Sequence, residues 1–405
     1  MSLGFDTRAV RVHATNGADA NQPLSEPIVL ATTYTAGTAA DHRELFRSGS
    51  MRFYRRFGNP TTAAGARVIA DLEGAEEAIL FGSGMGAIST ALFAVLRAGD
   101  HVVASREIFA QTRTVLDKVL RGYGVETDFV DERDAANVAA KLRPNTRLIY
   151  LETPSNPLLH IADIAAVAKL RRPAIELFVD STFASPALQS PIALGATLSL
   201  HSASKYLGGH SDVLGGAASG RRELIERIRE MQILLGTVLE PHAAWLLLRG
   251  VRTLGVRMRR QAETALALAR ALTNHPAVER VAYPYLETDP GFAVASKQMR
   301  AGGGVVTFIP RGGLDAGRRF ADSLKLIPIA TSLGGVETIV ELPYDLDFGE
   351  EIDSHSVSPY GGAIRMSVGL EDYADLWGDI DQALVTSQSS ADVFEPVTRI
   401  EHGFR

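Results

Sequence analysis

The sequence predicts an α/β fold: a large, mostly parallel sheet carrying helices, followed by a smaller α+β unit. Three observations support this. From about residue 61, short apolar runs alternate with longer stretches of helical period. Glycines, hydroxyl residues or an aspartate stand where several of those apolar runs end. The chain has 405 residues, more than one core of roughly 100–200 residues accommodates.

Taken in order, residues 1–60 show little periodicity and many Thr, Ala, Gly and Pro, which reads as an extended arm. In the unit 61–255 the expected strands are 78–81, 101–104, 126–130, 147–151, 177–180 and 197–200, with 214–218 as one more. Apolar residues at helical spacing predict helices over 85–96 (Ile88, Leu92, Val95) and 112–120 (Val115, Leu116, Val119), and also over 135–142 and 164–170. A charged helix is expected over 221–229, and one long helix or two in tandem over 243–272. In the unit 256–386, strands over 304–309, 338–342 and 363–367 alternate with helices over 316–324 and 373–384. The stretch 387–405 begins Ser-Gln-Ser-Ser-Ala-Asp and reads as a polar tail.

Composition excludes several classes. Hydrophobic residues are 46% and charged residues 22%, too apolar for a disordered chain. Net charge is −6 with no long basic run, which argues against a nucleic-acid or polybasic membrane partner. With no cysteine, disulfides, thiolate metal sites and cysteine nucleophiles are impossible, and no metal site is expected. The N-terminus has no apolar signal core, and no apolar stretch approaches the ~18 residues of a membrane span, so a cytoplasmic protein is expected.

Three local patterns carry chemistry. In Ser202-Ala203-Ser204-Lys205-Tyr206-Leu207-Gly208-Gly209, a lysine stands just past a strand end, among hydroxyls and glycines. Ligands bind at such strand ends in parallel sheets. A partly desolvated lysine there can lose its proton and form a Schiff base; a surface lysine in a loop is the plain alternative. In Phe178-Val179-Asp180-Ser181-Thr182 an aspartate ends an apolar strand, suited either to a pyridinium nitrogen or to an ordinary cap. Phe81-Gly82-Ser83-Gly84-Met85-Gly86-Ala87 joins a strand to a helix, whose first amides form an anion site. That loop lacks both the Walker lysine and the spacing of a dinucleotide turn.

In this order the three patterns resemble fold-type I (aspartate-aminotransferase-like) pyridoxal-phosphate enzymes. Further words narrow the resemblance to the cysteine/methionine-metabolism (transsulfuration) family of cystathionine γ-synthases, methionine γ-lyases and O-acyl-homoserine sulfhydrylases. They are Tyr54-Arg55-Arg56-Phe57-Gly58-Asn59-Pro60-Thr61, Glu152-Thr153-Pro154-Ser155-Asn156-Pro157, Ser332-Leu333-Gly334-Gly335 and Arg365-Met366-Ser367-Val368-Gly369-Leu370-Glu371-Asp372.

The resemblance implies roles. Lys205 would be the Schiff-base lysine and proton shuttle, and Asp180 the partner of the ring nitrogen. Gly84 and Met85 amides with Ser202 and Ser204 hydroxyls would hold the phosphate of pyridoxal 5'-phosphate. Tyr54 and Arg56 would reach the phosphate of a neighbouring subunit, implying a homodimer with shared sites and, by family habit, a homotetramer. Arg365 would clamp the substrate carboxylate, with Asn156 and Ser332 beside the cofactor ring and substrate.

Three departures from the family pattern shape the expected activity. Phe109 stands where most members have a tyrosine, so stacking is kept but a proton donor is lost. Thr331 replaces a glutamate typical of cystathionine-handling members. The stretch 344–353 is acidic, with Asp345 and Asp347 placed as candidate partners for a cationic substrate side chain, or simply as part of a solvated loop. The expected reaction is γ-elimination or γ-replacement on a homoserine-type amino acid with a heteroatom leaving group. That covers an O-acyl-homoserine sulfhydrylase, or a γ-lyase on methionine-like or basic substrates such as canavanine. The alternative is a cystathionine β-lyase. A non-catalytic descendant fits poorly, because Lys205, Asp180 and Arg365 are all retained.

Overall fold

The structure is a computed structural model of the single chain and describes residues 3–11, 23–343 and 362–388. Two sheets organise it. The larger has seven strands: β1 Glu77–Phe81, β2 His101–Ser105, β3 Glu126–Val130, β4 Thr146–Glu152, β5 Glu176–Asp180, β6 Leu198–Ser202 and β7 Gly216–Gly220. Their order is β1-β7-β6-β5-β4-β2-β3; β7 runs antiparallel to both neighbours and the other pairings are parallel.

Burial on both faces explains the continuous apolar strands. In β1, Ile79 and Phe81 join a core with Leu92 and Ile228, on the helices Gly84–Val95 and Arg222–Leu235. Ala78 and Leu80 face the other way, onto Ile69 and Leu247 of the helices Pro60–Glu73 and Pro241–Val251. The helix Pro60–Glu73 begins where Asn59 accepts from the Thr61 and Thr62 amides with Pro60 in the first turn, and it ends at Gly74 with φ +68°.

The second sheet comprises β8 Val278–Ala282, β9 Val305–Pro310, β10 Ile339–Glu341 and β11 Ile364–Ser367, ordered β10-β11-β9-β8 and antiparallel throughout. Leu268, Phe308, Phe320 and Ile380 centre its core. The expected helical stretch 243–272 is two helices, Pro241–Val251 and Leu254–Thr273. The early residues are not uniformly extended. Phe5–Val10 is a helix that buries Ala9, and its Asp6 pairs with Arg259 at 2.7 Å. The helix Ala39–Arg47, by contrast, has no buried residue.

Candidate active site

Lys205 lies three residues past the end of β6, in a turn closed by the Gly209 amide donating to the Lys205 carbonyl at 2.8 Å. Its Nζ donates to Ser332 Oγ at 2.7 Å. Ser332 has φ +102°, a left-handed conformation that a side-chain-bearing residue adopts only when its surroundings enforce it. On its other side, the Ser332 carbonyl accepts from Arg365 Nη2 at 2.9 Å. Arg365 Nη1 donates to Asn156 Oδ1 at 2.9 Å. The fold thus brings four expected residues, from both sheets, around one point.

Arg365 also forms an ion pair with Glu341, its register neighbour across β10 and β11. Its Nε is buried without a hydrogen-bond partner among the described residues. Burial lowers the Arg365 pKa, and Glu341 works against that shift. Burial, then the Arg365 charge, brings the Lys205 ammonium down to about 8, with Glu341 again opposing.

Asp180 ends β5 and is buried. Its Oδ1 accepts from the Thr182 amide at 3.0 Å and the Thr182 hydroxyl at 2.6 Å. The same hydroxyl accepts from the Ser202 amide at 2.9 Å, so one side chain joins the ends of β5 and β6. Burial raises the Asp180 pKa, and the Thr182 hydrogen bonds oppose the rise.

The helix Gly84–Val95 starts behind this point. The first amides of a helix have no acceptor within it. Ser83 takes those of Gly86, through Oγ at 2.9 Å, and Ala87, through its carbonyl at 3.1 Å, which leaves those of Gly84 and Met85. A Cβ at Gly84 would lie 2.8 Å from Ser202 Cβ and 2.9 Å from Ser202 Oγ, so Ser202 faces the helix start. Ser204 is turned differently: its hydroxyl accepts from the Gly215 amide at 2.9 Å and donates to the Gly215 carbonyl at 3.3 Å.

Phe109 precedes the helix Ala110–Thr114, and its side chain is 39% exposed. Its amide donates to Glu152 Oε2 at 2.8 Å. Tyr54 and Arg56 lie together elsewhere, the guanidinium 5.8 Å from the tyrosine ring centre. Arg56 donates to the Ile233 carbonyl at 2.8 Å, near the end of the helix Arg222–Leu235. Asp345 and Asp347 fall outside the described residues.

Sequence reasoning gave no role to Glu341, Glu152 or Thr182. Two signals were present. Glu152 ends an apolar strand as Asp180 does, and Glu341 alternates with Val340 in a short apolar stretch.

Comparison with known proteins agrees with this architecture. The family model described as "Cys/Met metabolism PLP-dependent enzyme" matches residues 6–385. An L-methionine gamma-lyase of Pseudomonas deceptionensis is 40% identical over 95% of this chain and 98% of its own length. A cystathionine gamma-synthase of Mycobacterium tuberculosis is 42% identical over 94% of this chain and 97% of its own. The crystal structure of metB from Corynebacterium glutamicum superposes with a TM-score of 0.88 at 39% identity, covering 95% of this chain and 98% of that one. The chain belongs to the Cys/Met metabolism PLP-dependent enzymes, and pyridoxal 5'-phosphate is its cofactor.

Proposed function

We propose that this family member eliminates or replaces a heteroatom group at Cγ of a homoserine-type amino acid. Its substrates would be an O-acyl-homoserine with sulfide, or a methionine-like or basic amino acid such as canavanine. One observation carries the reading. The Lys205 amine and the Arg365 guanidinium meet on opposite sides of Ser332, through its hydroxyl and its carbonyl. An α-amino acid whose carboxylate lay on Arg365 would present its Cα to that amine.

The residues present fit the cofactor. The Gly84 and Met85 amides and the Ser202 hydroxyl form a small cradle at a helix start, kept open because Gly84 has no Cβ, and suited to a phosphate. Ser204 would join it by exchanging its Gly215 bonds. Asp180 offers a buried carboxylate for a ring nitrogen, and Phe109 an exposed ring for stacking. Asn156 has its Oδ1 committed to Arg365, and its amide nitrogen would face the ring oxygen. When bound, pyridoxal phosphate supplies an electron sink for charge developing at Cα. Lys205, whose amine loses its proton at about pH 8, would take the Cα proton and carry protons along the substrate.

Phe109 cannot protonate a leaving group. A departing carboxylate needs no proton, which favours an O-acyl-homoserine over an unactivated thioether. Asp345 and Asp347 would receive the cation of a basic substrate. In this reading residues 1–60 are an arm, with Tyr54 and Arg56 completing the site of a second copy in a homodimer or homotetramer. Residues 61–255 hold the cofactor, 256–386 supply the substrate wall, and the enzyme works in the cytoplasm.

The test is a substrate panel of O-acetyl- and O-succinyl-homoserine with and without sulfide, cystathionine, methionine and canavanine. Keto acid and amino-acid products are both assayed. A four-carbon keto acid, or homocysteine formed from sulfide, is the expected outcome. Pyruvate as the sole keto acid from cystathionine, released together with homocysteine, would replace this reading with a β-lyase.

A further inference from the structure

Asp180 does not stand alone at its strand end. In the parallel pairing of β4 and β5, Glu152 is its direct register partner, on strands about 4.8 Å apart. Register partners in a parallel pair share a face, so two carboxyl groups lie side by side. Both are buried, Glu152 4% and Asp180 6% exposed. A third acid, Glu132, lies two residues past the end of β3, is also buried, and accepts from the Arg106 amide at 3.2 Å. Like charges this close and this dry cannot all be ionised.

Each of the two paired acids has its own two donors. Asp180 has both the hydroxyl and the amide of Thr182. Glu152 has the Phe109 amide at 2.8 Å, and the Asn156 amide also faces it. The other ionisable groups turned toward Glu152 are Tyr150 on its own strand, Glu132, and Arg365 from β11.

We propose that Glu152 is a positioning residue that remains a neutral carboxylic acid beside an ionised Asp180, while its carbonyl oxygen fixes the Phe109 turn. Two physical directions agree with it. Burial, then the Asp180 charge, drives the Glu152 pKa well above the ordinary range, and burial pushes Glu132 up to about 7. A neutral Glu152 leaves Asp180 as the one local anion available to a ring nitrogen. It also ties Phe109 to the strand beside Asp180, because the Phe109 amide is held by the register partner of that aspartate. The same pattern, a carboxylic acid kept uncharged so that it acts as a hydrogen-bonding group, is a known use of apolar surroundings.

The inference rests on Asp180 facing the ring, which Asp180→Asn tests separately: unchanged turnover in that variant would remove the aspartate from the ring. The deciding measurement for Glu152 uses the holoenzyme and E152Q, an isosteric neutral replacement. Three quantities are read: pyridoxal-phosphate Kd, the visible circular dichroism of the bound cofactor, and the pH dependence of its absorbance. E152Q is expected to keep Kd within about threefold, with unchanged dichroism and an unchanged pH profile. E152A, which removes the acceptor, is expected to raise Kd about tenfold or more and to alter the dichroism. The proposal is overturned if E152Q loses the cofactor, fails to fold, or shifts the pH profile, since each would mean that a negative charge at this position is required. It is equally overturned if E152A binds and reports like the wild type.

Discussion

At the ends of the large sheet, the polar groups of the pocket hold one another. Asp180 is held by Thr182, Thr182 by Ser202, and Phe109 by Glu152. On the small sheet Arg365 is held by Asn156, Ser332 and Glu341, and one of its nitrogens is left over. Among the described residues Arg365 keeps a buried Nε with no partner, shares Nη2 between Glu341 and a carbonyl, and leans on a serine in a strained backbone conformation. Buried polar groups ordinarily find partners, and the exceptions mark places built for something else. In the proposed function, the contrast would separate a side preorganised for the resident cofactor from a side that receives the transient substrate.

Variants on the two sides should therefore fail in different ways. The largest effect is expected from Arg365→Lys, which removes the planar fork but keeps the charge. KM for every amino-acid substrate should rise about 10–100-fold, the range of a lost charged hydrogen bond, with the pyridoxal-phosphate Kd unchanged. Steady-state kinetics beside a cofactor titration would show this, and a parallel loss of cofactor affinity would erase the distinction between the sides.

Gly84→Ala should give the opposite pattern. The added Cβ falls 2.8 Å from Ser202, so the cradle must widen. Cofactor Kd should rise about tenfold, while KM at saturating cofactor stays near wild type.

The smallest effect concerns protons. Covalent capture of the cofactor needs an uncharged Lys205 amine. The uptake rate of cofactor-free protein should climb with pH through a midpoint at about 8 and then level off. Glu341 favours the ammonium, so Glu341→Gln should move that midpoint to lower pH. A stopped-flow series across pH measures it, and a midpoint that stays in place would disconnect Glu341 from the lysine.

Much of this architecture was legible from residue order. Strands such as β4 and β5 announce themselves because they are buried on both faces and therefore apolar throughout. Strand β8 was not read. It is an edge strand, Val-Glu-Arg-Val-Ala, whose two charged residues are exposed and whose alternation is too short to stand out. Strand β7 was expected two residues early, at an exposed leucine, because Gly-Ala-Ala-Ser-Gly has no large side chain to mark it. The helix Pro60–Glu73 carried clear signals at both ends, Asn-Pro and Gly, but its Thr, Ala and Gly content hid the period.

The Lys205–Ser332–Arg365–Asn156 convergence was expected from motifs. The ion pair to Glu341 and the pairing of Glu152 with Asp180 were not, since both depend on register between strands far apart in sequence. That information lies in no single window.

Thr182 has a consequence of its own. Its hydroxyl donates to the carboxylate at one strand end and accepts from the amide at the next. The Asp180 end and the Ser202 end of the pocket are thereby a fixed span apart, set by a single oxygen. Such a site works as a gauge. In the proposed cofactor placement, a vitamer lacking its phosphate would leave the Ser202 end unfilled, and one lengthened by a methylene would overrun it.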